Sequence, residues 1–120
     1  MKNTSNNLLI VEDNSFIGKK ILKATKELNT IVDIRLAESI QEAIAFLNEM
    51  KFKFLILDLK LPDGNGIEIL KHFKEKKIEK KVFVFSISTE LKNICLKYGA
   101  SAFFDKSKDF DKLIEAIKKA

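Results

Sequence analysis

Two patterns alternate along the chain. Short apolar runs stand at LLIV (Leu8–Val11), IVDIRLA (Ile31–Ala37), FLIL (Phe54–Leu57), VFVF (Val82–Phe85) and SAFF (Ser101–Phe104). Between them lie segments with helical period. Ile17, Ile21, Ala24 and Leu28 share one face of the first segment, and Ile40, Ala43, Ile44 and Leu47 share one face of the second. Ser39 followed by Glu42 is a capping-box pattern that starts the second helix. A fourth helix is predicted from Ser88 or Thr89 to Tyr98, with Gly99 as its C′ glycine. A fifth follows Asp109, with Leu113, Ile114 and Ile117 turned inward.

The first, third and fourth runs are apolar throughout, which suits strands covered by helices on both faces. Five strand–helix units joined by right-handed crossovers predict an α/β fold, a (βα)5 doubly wound five-stranded parallel sheet. The length of 120 residues accommodates one domain, residues 1–120, and no appended module.

In such a sheet, ligands bind beyond the carboxyl ends of the strands. Polar residues collect there. Glu12 and Asp13 follow the first run, Asp58 the third, Ser86 the fourth, and Asp105 and Lys106 the fifth. The second run ends in Ala37 and belongs at the sheet edge. An acid after FLIL is costly unless it opens to water, a metal or a substrate. Three carboxylates gathered at one edge repel one another. A hard divalent cation with oxygen ligands relieves that repulsion, and Mg²⁺ suits few carboxylates, several waters and a phosphate. Lys106 adds a fixed positive charge and Ser86 a hydroxyl donor, both suited to phosphoryl oxygens. Carboxylate nucleophile, metal, lysine and hydroxyl together can move a phosphoryl group onto Asp58.

Composition narrows the alternatives. Apolar residues at 46% and charged residues at 32% are those of an ordinary soluble globular protein. The net charge of +5 is densest at KHFKEKKIEKK, Lys71–Lys81, with Arg35 the one arginine. A nucleic-acid surface calls for arginine interleaved with aromatics; the patch reads as a solvated helix end, and no direct nucleic-acid contact is expected. His72 reads as an ordinary surface histidine. Cys95 is the one cysteine; it reads as a packing residue, and with no internal disulfide to form, a reducing cytoplasmic setting is expected. No apolar run approaches the ~18 residues of a membrane span. MKNTSNN has no apolar core of a signal peptide and reads as a short frayed lead-in.

Taken in order at their strand ends, these residues resemble the receiver domains of two-component response regulators, over Leu8 to Ile117. The resemblance implies the strand order 2-1-3-4-5 and Asp58 as phospho-acceptor. It implies Mg²⁺, with Mn²⁺ able to substitute, held by Asp13, Asp58, the backbone carbonyl of Lys60 and, through water, Glu12. Ser86 and Lys106 then bind the phosphoryl oxygens, and Ser86 and Phe103 form the switch. Leu61-Pro62 and Gly66 also fall at the family's spacing. The implied donor is a sensor histidine kinase or a histidine phosphotransfer protein. The implied output is a downstream protein on the face of the fourth helix, fifth strand and fifth helix, away from any membrane. The domain would not be an enzyme beyond its own phosphorylation and slow autodephosphorylation.

Four positions depart from the family pattern: Glu12 in place of the usual aspartate, Lys60 two after the acceptor, the bulky Ile87 after the hydroxyl residue, and Ser107 where proline is frequent. Three rivals stay open. An aspartate-nucleophile phosphatase wants an acid at position 60, where lysine stands. A flavodoxin-like cofactor binder wants a Ser/Thr/Gly-rich loop after the first strand, where EDNSF stands. A degenerate receiver used only as a surface is disfavoured by the complete residue set.

Overall fold

The computed structural model describes residues 6–120. Of the expected lead-in, residues 1–5 lie outside that range, whereas Asn6 and Asn7 are tied down rather than frayed. The Asn6 carbonyl accepts the Val32 N–H at 2.9 Å, and the Asn7 side-chain amide donates to the Lys51 carbonyl at 2.8 Å.

Five parallel strands form the sheet: β1 (Leu8–Val11), β2 (Ile34–Ala37), β3 (Phe54–Leu57), β4 (Lys81–Ser86) and β5 (Ala102–Asp105). Their order is β2-β1-β3-β4-β5, as the resemblance implied. The helices are α1 (Ser15–Lys26), α2 (Ile40–Glu49), α3 (Ile67–Glu75), α4 (Lys92–Lys97) and α5 (Phe110–Lys119). The alternation of side chains along each strand splits the core into two layers. Leu9, Val11, Leu55, Leu57, Val82 and Val84 pack with Ala43, Leu70, Phe73 and Cys95 from α2, α3 and α4. Leu8, Ile10, Phe54, Ile56, Phe83 and Phe85 pack with Ile21, Leu113 and Ile117 from α1 and α5. Each fully buried Leu, Ile or Val contributes roughly 1.5–3 kcal/mol relative to an exposed one. This is why the three central runs carry no polar position.

Several boundaries differ from the sequence expectation. The second strand begins at Ile34 rather than Ile31. Asp33 still serves the pairing, its carbonyl accepting the Leu8 N–H at 2.9 Å, while its Oδ1 accepts the Ile34 N–H at 2.9 Å and the Arg35 guanidinium at 2.6 Å. The fifth strand is shifted by one residue and ends on Asp105. Leu28 is beyond α1 but still packs on the core. Ile44, expected on the inner face of α2, is exposed, lining an open groove between α2 and α3 with Ile40, Leu47 and Ile69. The fourth helical segment opens with a 3-10 turn, Thr89–Leu91, before α4. Gly99 follows α4 with φ +96°, a left-handed conformation that a glycine adopts without strain.

The capping box forms in modified shape. Ser39 Oγ accepts the Glu42 N–H at 3.0 Å, while Glu42 reaches back to the Glu38 N–H at 2.8 Å. Cys95 is fully buried in α4, and burial pushes its thiol up to about 11. Among the described residues no helix is long and apolar enough to cross a membrane.

Candidate functional site

The carboxyl edge of the sheet brings together Glu12, Asp13, Asp58, Ser86 and Lys106. Strand pairing does the positioning. The Glu12 N–H continues the ladder onto the Ala37 carbonyl (2.9 Å), and the Asp58 N–H does the same onto Val11 (2.9 Å). Both acids therefore leave the sheet from neighbouring strands at one level. Oxygens of Glu12, Asp13 and Asp58 lie within 4.8 Å of one another. Glu12 is 2% exposed and Asp58 3%, whereas Asp13 is open to solvent.

Lys106 bridges the two buried acids. Its ammonium donates to Glu12 Oε1 at 2.8 Å and to Asp58 Oδ2 at 2.8 Å. The other oxygens are held as well: Asp58 Oδ1 accepts the Leu59 N–H at 2.8 Å and Glu12 Oε2 the Asn14 N–H at 3.1 Å. Asn14 also caps α1, its Oδ1 accepting the Ile17 N–H at 3.0 Å. Burial raises the Glu12 carboxyl above its ordinary value and Asp58 adds to this, while Lys106 pulls the other way. Burial likewise opposes the Lys106 charge, yet its bonds to Asp58 and Glu12 prevail and hold the ammonium above its usual value.

Ser86 ends β4, fully buried. Its Oγ accepts the Ser88 N–H at 3.0 Å, and its carbonyl accepts the Lys106 N–H at 3.0 Å. The backbones that carry the hydroxyl and the lysine are thus bonded directly to each other. Lys60 is exposed, and its backbone pairs with Asn65 in a two-residue ribbon just after Asp58. Phe103 stands opposite Val84 in β5 and packs, half-buried, on the α4 side, whereas Phe104 packs on the α1–α5 side. Ile87 and Phe16 are exposed.

Three carboxylates with close oxygens, two of them buried, fit a hard divalent cation such as Mg²⁺. The ammonium of Lys106 meets part of the same need for positive charge. Two residues that sequence reasoning left unassigned also bear on the site: Asn14, and Asp63 in the turn after Asp58. Their types, Asn and Asp before a helix or in a turn, are the usual capping signal.

An open parallel sheet with acids, a hydroxyl and a lysine at its carboxyl edge defines an α/β domain whose chemistry sits at the strand-order switch point. Residues 8–118 match the response regulator receiver domain, and the chain belongs to that family. It is a signalling domain of two-component systems. The transcriptional regulatory protein MalR of Bacillus subtilis is 29% identical over 113 residues, 92% of this chain and 48% of MalR. The nitrate/nitrite response regulator protein NarL of Escherichia coli is 24% identical over 115 residues, 94% of this chain and 53% of NarL. The chain thus spans about half the length of these relatives. The receiver domain of Francisella response regulator 1452 is 27% identical with a TM-score of 0.85, over 96% of this chain and 95% of that one. TrrA of Thermotoga maritima, solved in complex with Mg²⁺–BeF, shares the fold at 24% identity and a TM-score of 0.82, over 95% of this chain and 97% of that one.

Proposed function

We infer that Asp58 is the phospho-acceptor, taking its phosphoryl group from the phosphohistidine of a sensor kinase or a phosphotransfer protein. An Asp58 oxygen attacks phosphorus, the P–N bond breaks, and the imidazole leaves with its electron pair. The observation that carries this reading is the Lys106 ammonium at 2.8 Å from both Asp58 and Glu12, a fixed cation at the nucleophile's own oxygen. Asp13, Asp58 and the Lys60 carbonyl, with Glu12 through water, would hold Mg²⁺ (or Mn²⁺), which neutralises charge on the transferring group. Ser86 and Lys106 then bind the product's phosphoryl oxygens.

Residues 1–120 act in this reading as one switching domain in the cytoplasm, with slow self-dephosphorylation and no other catalysis. Once Asp58 is modified, Ser86 exchanges its bond from Ser88 for one to the phosphoryl group, and Phe103 turns toward the space behind β4. Moving one aromatic shifts on the order of 150–250 Å² of apolar surface on the face of α4, β5 and α5, where a downstream protein docks without direct nucleic-acid contact by this domain.

The test is Asp58→Asn, which keeps shape and removes the nucleophile. After incubation with a phosphohistidine donor and Mg²⁺, intact-mass spectrometry should show a phosphoryl gain on the wild type alone. Beryllofluoride, the phosphate mimic, should shift amide resonances of α4, β5 and α5. An equal mass gain on Asp58→Asn overturns the acceptor; shifts confined to α1 and α2 overturn the output face.

A further inference from the structure

Between Asp58 and α3 the chain makes a tight turn that is bonded mostly to itself. Leu59 donates to Asp58 Oδ1 at 2.8 Å, the Gly66 N–H donates to the Leu59 carbonyl at 2.8 Å, and Lys60 and Leu61 pair with Asn65 and Gly64. None of these bonds fixes the turn against the rest of the molecule. Leu59 and Leu61 anchor its base by packing into the core, and one side chain fastens its tip. Asp63 Oδ1 accepts the Ile40 N–H at 2.9 Å and Oδ2 the Gln41 N–H at 3.0 Å, across 23 and 22 residues. Both carboxylate oxygens are thus spent on the first turn of α2, whose free N–H groups and positive end favour an anion. These bonds hold the Asp63 carboxyl below its ordinary range even though it is exposed.

The helix does not need Asp63 in order to start. Ser39 already caps α2 through Glu42, and Glu42 closes back on Glu38. The second, distant cap therefore does more for the turn than for the helix. The turn is also pressed down where it is fastened. Gly64 follows with φ +149°, and a Cβ there would meet Glu68 Oε2 at 2.8 Å and Ile40 Cδ1 at 3.0 Å.

We propose that Asp63 is a positioning residue for the metal: by fastening the tip of the turn to α2 it holds the Lys60 carbonyl at the spacing from Glu12, Asp13 and Asp58 that a divalent cation requires. This rests on the Mg²⁺ reading above. Coupling is reciprocal, so Mg²⁺ tightens the first turn of α2 through Asp63.

Calorimetric titration with Mg²⁺ alone, melting, and amide exchange on the full chain test this with four variants. Ser39→Ala and Asp63→Ala each remove a cap and lower the melting temperature by a few degrees, on the order of a lost N-cap. Of these two, Asp63→Ala alone loses metal affinity, about 10-fold, the lower end for a group that orients metal ligands; Asp63→Asn, keeping one acceptor oxygen, falls between. Mg²⁺ slows exchange of the Ile40 and Gln41 amides in the wild type and not in Asp63→Ala. Wild-type Mg²⁺ affinity in Asp63→Ala, or an equal loss in Ser39→Ala, reduces Asp63 to a helix cap and overturns the proposal. The Asp13→Asn arm separates the two readings: if it binds Mg²⁺ as the wild type does, the metal site itself is wrong.

Discussion

Replacing Gly66 by alanine puts a single methyl group against the acceptor. Gly66 has φ −58° and ψ −18°, a conformation alanine adopts freely. On backbone entropy alone the change should stabilise by ~0.4–1 kcal/mol. Space decides otherwise. The new Cβ would be 2.4 Å from the Asp58 carbonyl oxygen, against 3.4 Å for ordinary contact, an overlap of 3.4 − 2.4 = 1.0 Å, and 3.1 Å from Leu57 Cδ1. The colliding atom is backbone, so no rotamer relieves it, and overpacking of this kind costs typically 1–3 kcal/mol. For 120 residues at ~2 cal/mol/K each, 1 kcal/mol is about 4 °C. Gly66→Ala should therefore melt ~4–12 °C low. Because the displaced backbone is that of Asp58, Mg²⁺ affinity should fall as well, on the order of 10-fold. Gly18→Ala is the control. Its Cβ would meet only the mobile end of Leu36, at 3.2 Å, and the helix-propensity gain of ~1 kcal/mol offsets that contact, leaving melting within ~2 °C. Differential scanning calorimetry with and without Mg²⁺ reads both. A Gly66→Ala protein that melts at or above the wild type with its metal affinity intact refutes the reasoning.

Asp13→Asn removes one of three repelling carboxylates, so the metal-free protein should melt slightly higher, on the order of 0.5 kcal/mol for an exposed charge, while Mg²⁺ binding weakens; a lower melting point with unchanged binding contradicts the cluster. Lys106→Met leaves Glu12 and Asp58 buried without their cation, a loss of up to ~3–5 kcal/mol when both stay charged, and added Mg²⁺ should restore more stability to this variant than it gives the wild type. The Lys106 contribution is present below its unfolded value, near 10.5, and should fade as pH rises through the higher folded value. Asp63 is held below its ordinary 3.8 by the Ile40 and Gln41 N–H groups, and Asp105 by the Ser107 hydroxyl and N–H. Their stabilisation is present above 3.8 and lost as pH falls through the lower folded values. The gap between wild type and the Asp63→Asn/Asp105→Asn double variant should therefore shrink in acid melts below that pH; a gap that stays constant counts against both contacts.

The acids at the strand ends were legible because a buried parallel strand writes itself as an unbroken apolar run, so its first polar residue marks the carboxyl edge. Glu12, Asp58 and Ser86 were found this way. Strand order was not legible from periodicity and came from resemblance. Helical period named the face of α2 but not how far its neighbours cover it, which is why Ile44 is open to solvent. The 3-10 start before α4 reflects a local choice of bonding that TEL does not advertise. The Asp63 contact was invisible for another reason: its partners are 22 and 23 residues away, and a Pro-Asp-Gly turn explains itself without them.

The thiol of Cys95 has a use for the experimenter. The thiolate is the form that attacks alkylating reagents, and this thiol is buried on the inner face of the six-residue α4 with its pKa pushed up to about 11. Labelling must wait for α4 to open, so its rate, compared with that of a free thiol, reports the free energy of that local opening. The chain thus carries a native stopwatch beneath its proposed output face. Run with and without beryllofluoride, it times how firmly α4 is latched in each state, with no reporter group added.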